Sequence, residues 1–314
     1  MSVVAADHRF GALDVERAIL GDVVDAGGLG HAEALALCAR AEAVLVGARL
    51  PLDAAAIGTL ERCRAIVRYG VGVDNVDVDA AADAGIWVAY VPDYCIDEVA
   101  EHAIALLFAL NRQLLALDAA VRADRWGIPA GLEVHRLSTR TLGVIGFGRI
   151  GEAVGRRAAA LGLTVLAYDP VRPPEQIEAA GARACTLDEL LAEADYVSLH
   201  APRLGDAAIL SAERIAAMKP GACVINLARG GLIDEPALIA ALTEGHLGGA
   251  ALDVAQAEPL RVGDPLLDAP NVLLTPHAAW YSAESVTELR TKAAHEVARV
   301  LAGEPPLHPA RALP

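Results

Sequence analysis

Three residues have types that could do chemistry together: Arg229, Glu258 and His277. Each follows a short apolar run of the kind that forms a buried strand. Arg229 comes after Cys223–Leu227, Glu258 after Ala250–Val254, and His277 after Val272–Leu274. In a doubly wound α/β sheet, ligands sit beyond the carboxyl ends of the strands, so all three would emerge at one edge. An imidazolium at His277 can donate a proton to an oxygen on which negative charge builds. Glu258 beside it would favour the charged ring and fix its tautomer. Arg229 is always protonated and fork-shaped, so it can bind a carboxylate and polarise a neighbouring carbonyl. That combination suits hydride transfer to the keto carbon of a 2-keto acid. Taken singly, each residue has an ordinary reading: a surface ion pair, a turn histidine, a solvated glutamate. Three complementary groups at three strand ends do not.

A hydride needs a carrier, and the stretch Thr141 to Asp169 supplies a place for one. An apolar run, Leu142–Ile145, leads into Gly146-Phe147-Gly148-Arg149-Ile150-Gly151. An alanine-rich helical segment follows, then a second apolar run, Thr164–Tyr168, closing on Asp169. Gly146 permits the tight turn, Gly148 lets backbone approach a pyrophosphate, and Gly151 lets the helix pack close to the strand. The helix N-terminus offers N–H groups and partial positive charge to the phosphates. Asp169 is placed to accept from the adenosine ribose hydroxyls and should repel a 2′-phosphate, which favours NAD over NADP. Arg172, close behind, is the one feature that leaves NADP open. His200, Ala201 and Pro202 follow another strand candidate, Tyr196–Leu199, at the same edge.

Alternating short β-rich and helical segments must hold these groups. Strands are expected at Val3–Ala6, Ala43–Val46, Ala65–Tyr69 and Trp87–Val91, with helical spacing over Leu13–Val24 and His31–Arg40. Asp97 to Val121 reads as one long helix without Gly or Pro. From Thr141 six strands with helical crossovers, the last at Val272–Leu274, make one complete doubly wound sheet. Ala283 to Leu301 is a further long helix, and the proline-rich tail after Gly303 reads as extended. The nucleotide domain is therefore expected over 108–283, inserted into a second α/β domain made of 1–107 and 284–314. The cleft between them is the expected ligand site.

Composition agrees with an ordinary globular protein. Of 314 residues 54% are hydrophobic and 21% charged, enough for two domains with cores. The longest apolar run, Ala103–Leu110, is far short of a membrane span, and MSVVAADHRF has no signal-peptide pattern. A net charge of −15 argues against nucleic acid. Cys38, Cys63, Cys95, Cys185 and Cys223 are scattered and in no metal-ligand spacing, which suggests buried thiols in a reducing cytoplasm.

Over essentially its whole length the sequence resembles the D-isomer-specific 2-hydroxyacid dehydrogenase family. The matching motifs are GFGRIG at Gly146–Gly151, MKPGACVINLARGGLIDEPALIAAL at Met218–Leu242, and ALDVAQAEP before TPHAAW. The resemblance implies a Rossmann nucleotide domain inserted into a flavodoxin-like catalytic domain, and dimerisation through the nucleotide domain. It implies catalytic roles for Arg229, Glu258 and His277, and cofactor contacts at Ala228, Asp253, Val99, Ala279 and the His200-Ala201-Pro202 turn. Arg68-Tyr69-Gly70-Val71-Gly72-Val73-Asp74-Asn75 looks like the family's substrate loop. Val71 and Gly72 could offer N–H groups to a carboxylate there, and Arg68 could add positive charge. Trp280-Tyr281-Ser282 and VPDYCIDEVAEHA at Val91–Ala103 point toward the C-terminal binding protein branch. Trp280 could wall the substrate pocket and favour an apolar or thioether side chain, or pack at a domain interface. Where many relatives have a Thr-rich adenine segment, this chain has Arg203-Leu204-Gly205-Asp206, which is shorter. Two alternatives remain: an NAD(H)-sensing corepressor-like protein with little turnover, and a phosphoglycerate dehydrogenase. The second needs a cationic cluster, and only Arg68 is in view.

Overall fold

Runs of β-branched and small apolar residues, too short to bury a helix face, form two parallel sheets in the computed structural model, which describes residues 2–203 and 205–313. Leu204 of the shortened adenine segment lies outside the described residues. One unit comprises the chain up to Tyr94 and from Tyr281 on, and the other is Cys95–Trp280.

The first unit runs β1 (Val3–Ala6), α1 (Asp14–Leu20), β2 (Val23–Ala26), α2 (His31–Cys38), β3 (Ala43–Val46), α3 (Ala54–Ile57), β4 (Ala65–Arg68), α4 (Val78–Asp83) and β5 (Trp87–Ala89). Its strands lie parallel in the order β2-β1-β3-β4-β5, the flavodoxin-like arrangement. Val4, Val44, Ile66 and Val88 sit side by side in register across β1, β3, β4 and β5 and are all buried. The strand β2 lies within and just beyond the stretch expected to be helical. Gly21, at φ +81, ends α1 early, and the four residues Val23–Ala26 pair along β1.

The second unit begins with α5 (Ile96–Asn111) and α6 (Leu114–Arg122). The single helix expected over 97–121 is broken here. Gln113 adopts a left-handed conformation (φ 52°, ψ 40°), and the two helices bend by 59°. No single described helix is long and apolar enough to cross a membrane. Then follow β6 (Thr141–Ile145), α7 (Arg149–Ala160), β7 (Thr164–Tyr168), α8 (Pro174–Ala179), β8 (Arg183–Ala184), α9 (Leu187–Glu193), β9 (Tyr196–Leu199), α10 (Ala212–Ala216), β10 (Cys223–Asn226), α11 (Glu235–Thr243), β11 (Gly249–Leu252), α12 (Pro265–Asp268) and β12 (Val272–Leu274). The sheet is parallel in the order β12-β11-β10-β9-β6-β7-β8, so the order reverses between β6 and β9. It has one strand more than expected: β8 is only two residues long and carries no pattern of its own. Since α5 packs on α7, β10 and β11, the first boundary falls at Tyr94/Cys95 and not at 107/108. The second falls at Trp280/Tyr281, ahead of the expected 283/284.

α13 (Ala283–Leu301) returns to the first unit and packs on α1, β3 and β4. The tail beyond it runs antiparallel to β5. Tyr90 N–H donates to His308 O (3.2 Å), Ala310 N–H to Val88 O (2.8 Å), and Leu307 N–H to the buried Glu296 carboxylate (2.9 Å). None of the five cysteines is in a disulfide. Burial pushes the Cys38 thiol up to about 11 and those of Cys63 and Cys223 up to about 12, which keeps them protonated and unreactive.

Candidate active site

Glycine spacing decides the shape of the turn after β6. Gly146 has φ +86, and a Cβ there would stand 2.6 Å from the backbone nitrogen of Ala201. The His200-Ala201-Pro202 turn after β9 therefore closes directly over Gly146, at the point where the strand order reverses. A Cβ on Gly151 would meet Gly146 O at 2.1 Å, so the third glycine sets how tightly α7 packs on β6. Gly148 differs: it is exposed, has an ordinary φ of −74°, and faces open space. It is the N-cap of α7 and has no side chain to bond the helix's first N–H groups. Thr186, Ser211 and Asp234 cap α9, α10 and α11 with side-chain oxygens. An uncapped helix start with cleared space above it fits a pyrophosphate.

Arg149 is exposed at the first helical position, and Ile150 behind it is half-buried. Phe147 serves the turn itself. Its ring is buried against Gly155, its N–H donates to Asp169 Oδ2 (2.8 Å), and its carbonyl accepts from Arg172 Nη1 (2.8 Å). The Phe147 N–H is thus committed within the protein, and its carbonyl accepts one hydrogen bond. Asp169 also accepts from the N–H groups of Val171 (2.8 Å) and Arg172 (2.9 Å) through Oδ1. Burial works against its charge. The three N–H donors and the Arg172 guanidinium outweigh burial and hold the carboxyl below the usual range. Asp169 Oδ2, which takes only one of these bonds, keeps a lone pair for a ribose hydroxyl. Arg172 is taken up by Glu152 (2.6 Å) as well as by Phe147. His200 shares a hydrogen bond with Ser198 Oγ (2.8 Å), and desolvation pulls its imidazole down to about 4, so it is neutral at physiological pH.

The two inner glycines give a test that separates fold from ligand. Gly148→Ala should leave Tm unchanged yet weaken NADH binding roughly tenfold, since its Cβ enters only the open space. Gly151→Ala should lower both. Calorimetry on the pair checks this, and unaltered NADH affinity in Gly148→Ala would remove the phosphate role.

At the ends of β10, β11 and β12 the three chemistry-bearing side chains lie on braced loops. Buried Asn226 closes the first loop: its Nδ2 donates to Arg229 O (2.9 Å) and its Oδ1 accepts from Ala228 N–H (3.0 Å). Arg229 Nη1 donates to Ala228 O (2.7 Å). Gly230 holds this loop against the next, because a Cβ there would sit 1.9 Å from Ala255 O. In that next loop Ala255 N–H donates to Glu258 Oε1 (3.2 Å), while Glu258 Oε2 meets His277 Nδ1 at 2.7 Å. Burial opposes the Glu258 charge. His277, the Ala255 N–H and the nearby Arg229 overcome it and hold the carboxyl below the ordinary range.

His277 itself is in the left-handed region at φ +54, a conformation that a non-glycine residue keeps only when its surroundings enforce it. Asp253 does most of that. It is buried and accepts from Thr275 Oγ1 (2.6 Å), Ala278 N–H (2.9 Å) and Ala279 N–H (2.9 Å), and its own carbonyl accepts from His277 N–H (2.8 Å). Asp253 Oδ1 thus takes two of these bonds and Oδ2 one, all from the loop. Trp280 Nε1–H donates to His277 O (3.0 Å), so the indole also braces the loop. His102 of α5 meets Thr275 Oγ1 at 3.2 Å. Val99 on the same helix and Ala279 are buried. Asn226 and His102 were not singled out by sequence. Asn226 stands inside the motif but has no chemistry of its own, and only the fold brings His102 to residue 275.

In the first unit, Arg68 ends β4 and its Nη1 donates to Tyr69 O (2.6 Å), with the guanidinium lying over Gly70. Val71 is exposed and Gly72 partly so. Among the described residues, neither N–H has an acceptor within the protein.

Residues 104–279 match the family model described as D-isomer specific 2-hydroxyacid dehydrogenase, NAD binding domain. The chain belongs to the D-isomer specific 2-hydroxyacid dehydrogenase family. A curated D-3-phosphoglycerate dehydrogenase of Mycobacterium tuberculosis is 40% identical over 293 residues, which is 91% of this chain but 55% of that relative. The chain therefore spans little more than half the length of such relatives. A glyoxylate reductase of Korarchaeum cryptofilum is 37% identical over 260 residues, 82% of this chain and 78% of the relative. Among solved structures, a D-lactate dehydrogenase from Aquifex aeolicus complexed with NAD and lactic acid has a TM-score of 0.87, 28% identity and 96% coverage of both chains. The uncapped α7 turn of this family member lies within the matched NAD-binding segment.

Proposed function

We propose that this chain is an NAD(H)-dependent D-2-hydroxyacid dehydrogenase that interconverts a 2-keto acid and its D-2-hydroxy acid. The observation that carries this is the His277–Glu258 pair at 2.7 Å, beside Arg229 and at the same sheet edge as an uncapped nucleotide turn. NADH, held at the start of α7 by the Gly146–Gly151 turn, would supply the hydride. Asp169 takes the ribose hydroxyls, and its retained charge disfavours a 2′-phosphate. Arg172, neutralised by Glu152, does not reverse that preference. Arg229 binds the substrate carboxylate and polarises its carbonyl. In the first unit, Val71 and Gly72 offer their N–H groups to the same class of anion, with Arg68 adding charge. With Nδ1 of His277 committed to Glu258, Nε2 is the nitrogen that gives its proton to the keto oxygen. The hydride adds to C2, the carbonyl π pair moves to oxygen, and that proton completes the hydroxyl.

The C-terminal binding protein-like branch is a finer reading supported by Trp280-Tyr281-Ser282. A phosphorylated substrate is a second reading, favoured by the mycobacterial relative; against it, Arg49 is paired to Asp7 (2.7 Å). The chain is further read as a homodimer through the second unit, in a reducing cytoplasm. After α6, Trp126 is 92% exposed and Ile128 83%, and Leu114 and Leu115 on α6 are half exposed. Apolar exposure on that scale asks for a covering surface. Light scattering should give twice the chain mass, and a monomer at micromolar concentration would end that reading.

The deciding assay follows NADH absorbance with glyoxylate, hydroxypyruvate, 4-methylthio-2-oxobutyrate, phenylpyruvate and 3-phosphohydroxypyruvate, with NADPH as control. Turnover of an unphosphorylated acid with NADH preferred is expected. Turnover of the bulkier acids would support Trp280 as a pocket wall. Tight NADH binding with no turnover of any acid would overturn the enzyme reading in favour of a dinucleotide sensor.

A further inference from the structure

Beneath the turn that offers the Val71 and Gly72 N–H groups lies a buried ionic network that sequence patterning does not reveal. Glu16 on α1 is fully buried. Arg290 on α13, also buried, bonds it through two nitrogens: Nε donates to Oε1 (3.0 Å) and Oε2 (3.2 Å), and Nη2 to Oε2 (2.6 Å). The same Nη2 also reaches Ala12 O at 2.7 Å. The Tyr69 hydroxyl donates to Glu16 Oε1 at 2.9 Å. Phe10 closes the group, edge-on to the Tyr69 ring at 5.0 Å and under the Arg290 guanidinium at 5.4 Å.

Tyr69 is the pivot of the turn. Its N–H donates to Val46 O (2.8 Å), and the next residue, Gly70, bonds back to Arg68 O (2.9 Å) in a three-residue turn. Arg68 and Tyr69 point to opposite sides, the guanidinium across Gly70 and the phenol down onto Glu16. Gly70 O then accepts from Val91 N–H (3.0 Å), after which the chain leaves the sheet with two N–H groups unspent. Tyr69, which starts this turn, is thus held at both ends: Val46 O takes its N–H and Glu16 Oε1 takes its hydroxyl.

We infer that Tyr69, Glu16 and Arg290 form a positioning network that holds the 70–72 turn in the conformation that offers the Val71 and Gly72 N–H groups to a carboxylate, so that affinity for such an anion depends on a hydrogen bond in the core of the first unit. This deepens the proposed function and rests on its reading of Val71 and Gly72. Desolvation and the Glu16 charge push the Tyr69 phenol well above its ordinary range, so it stays a donor at any working pH. Arg290 and Tyr69 hold Glu16 ionised against its burial.

Glu16→Gln would strand the Arg290 charge and endanger folding, so Tyr69→Phe, which deletes one hydroxyl, is the test. Two measurements read it. In steady-state kinetics on whichever 2-keto acid the wild type reduces, KM should rise about tenfold, with kcat and NADH affinity unchanged. In hydrogen exchange, amides 70–73 should exchange faster, a readout that needs no turnover. Ile57→Val, a core truncation elsewhere in the same unit, lowers Tm as a control and should move neither. Unchanged KM in an active enzyme, or unchanged exchange at 70–73, would overturn the inference. An inactive wild type with accelerated exchange in Tyr69→Phe would leave the positioning role standing and sink only the proposed activity.

Discussion

Replacing His277 by Gln is expected to lower kcat about 10³-fold while leaving NADH affinity within twofold of wild type. Glutamine is similar in reach and keeps a hydrogen bond to Glu258, so the loop geometry survives. What it lacks is a proton it can give up. The imidazole is held for that task from several sides: Glu258 on Nδ1, Trp280 on the carbonyl, and Asp253 on the neighbouring N–H groups and on Thr275. Those braces belong to the loop and persist in the variant, so the loss should fall on chemistry and not on stability. Stopped-flow NADH oxidation with a titration of cofactor binding separates the two. A kcat within threefold of wild type would remove His277 from the proton-donor role.

Arg229→Gln should be still more damaging to kcat/KM, by about 10⁴, or roughly 5 kcal/mol of transition-state binding. Two contributions disappear together: the forked contact to a carboxylate, and the fixed positive charge that stabilises a developing oxyanion. The backbone around it is insured independently, since Asn226 bonds both sides of the loop and Gly230 keeps it pressed on Ala255. Arg229→Lys, which returns the charge without the planar fork, should recover only part of the loss. If Lys restores full activity, charge alone is what matters and the forked contact is not made. If Gln retains kcat/KM within tenfold, the carboxylate is bound elsewhere.

Much of this was legible in the sequence because its cause is local. Gly146 and Gly151 each answer a separate steric demand within the fold, and those two demands are met as their spacing implies. The strands at Val3–Ala6 and Ala43–Val46 are continuous apolar runs because parallel sheets are covered on both faces. What escaped was what only tertiary contact creates. Nothing around Gln113 announces a left-handed residue, so the break between α5 and α6 was invisible. Arg183–Ala184 is a strand only because β7 is beside it. The packing of Phe147 on Gly155 and its N–H bond to Asp169 likewise arise only in the folded chain. Glu16 and Arg290 lie at opposite ends of the chain and are a pair only in three dimensions, so neither hydropathy nor spacing could join them.

The antiparallel seating of the tail on β5 has a consequence for behaviour at high concentration. An outermost strand presents a row of N–H and C=O groups that can recruit a strand from another molecule. On the β5 side Tyr90 N–H donates to His308 O of the chain's own tail and Val88 O accepts from Ala310 N–H, and the residue opposite Ala89 is Pro309, which has no N–H to extend the ladder outward. A chain cut after Gly303 would lay bare the β5 ladder together with the Glu296 carboxylate. It should then associate through that edge, turning a folding unit that ends its own sheet into a template for the next molecule.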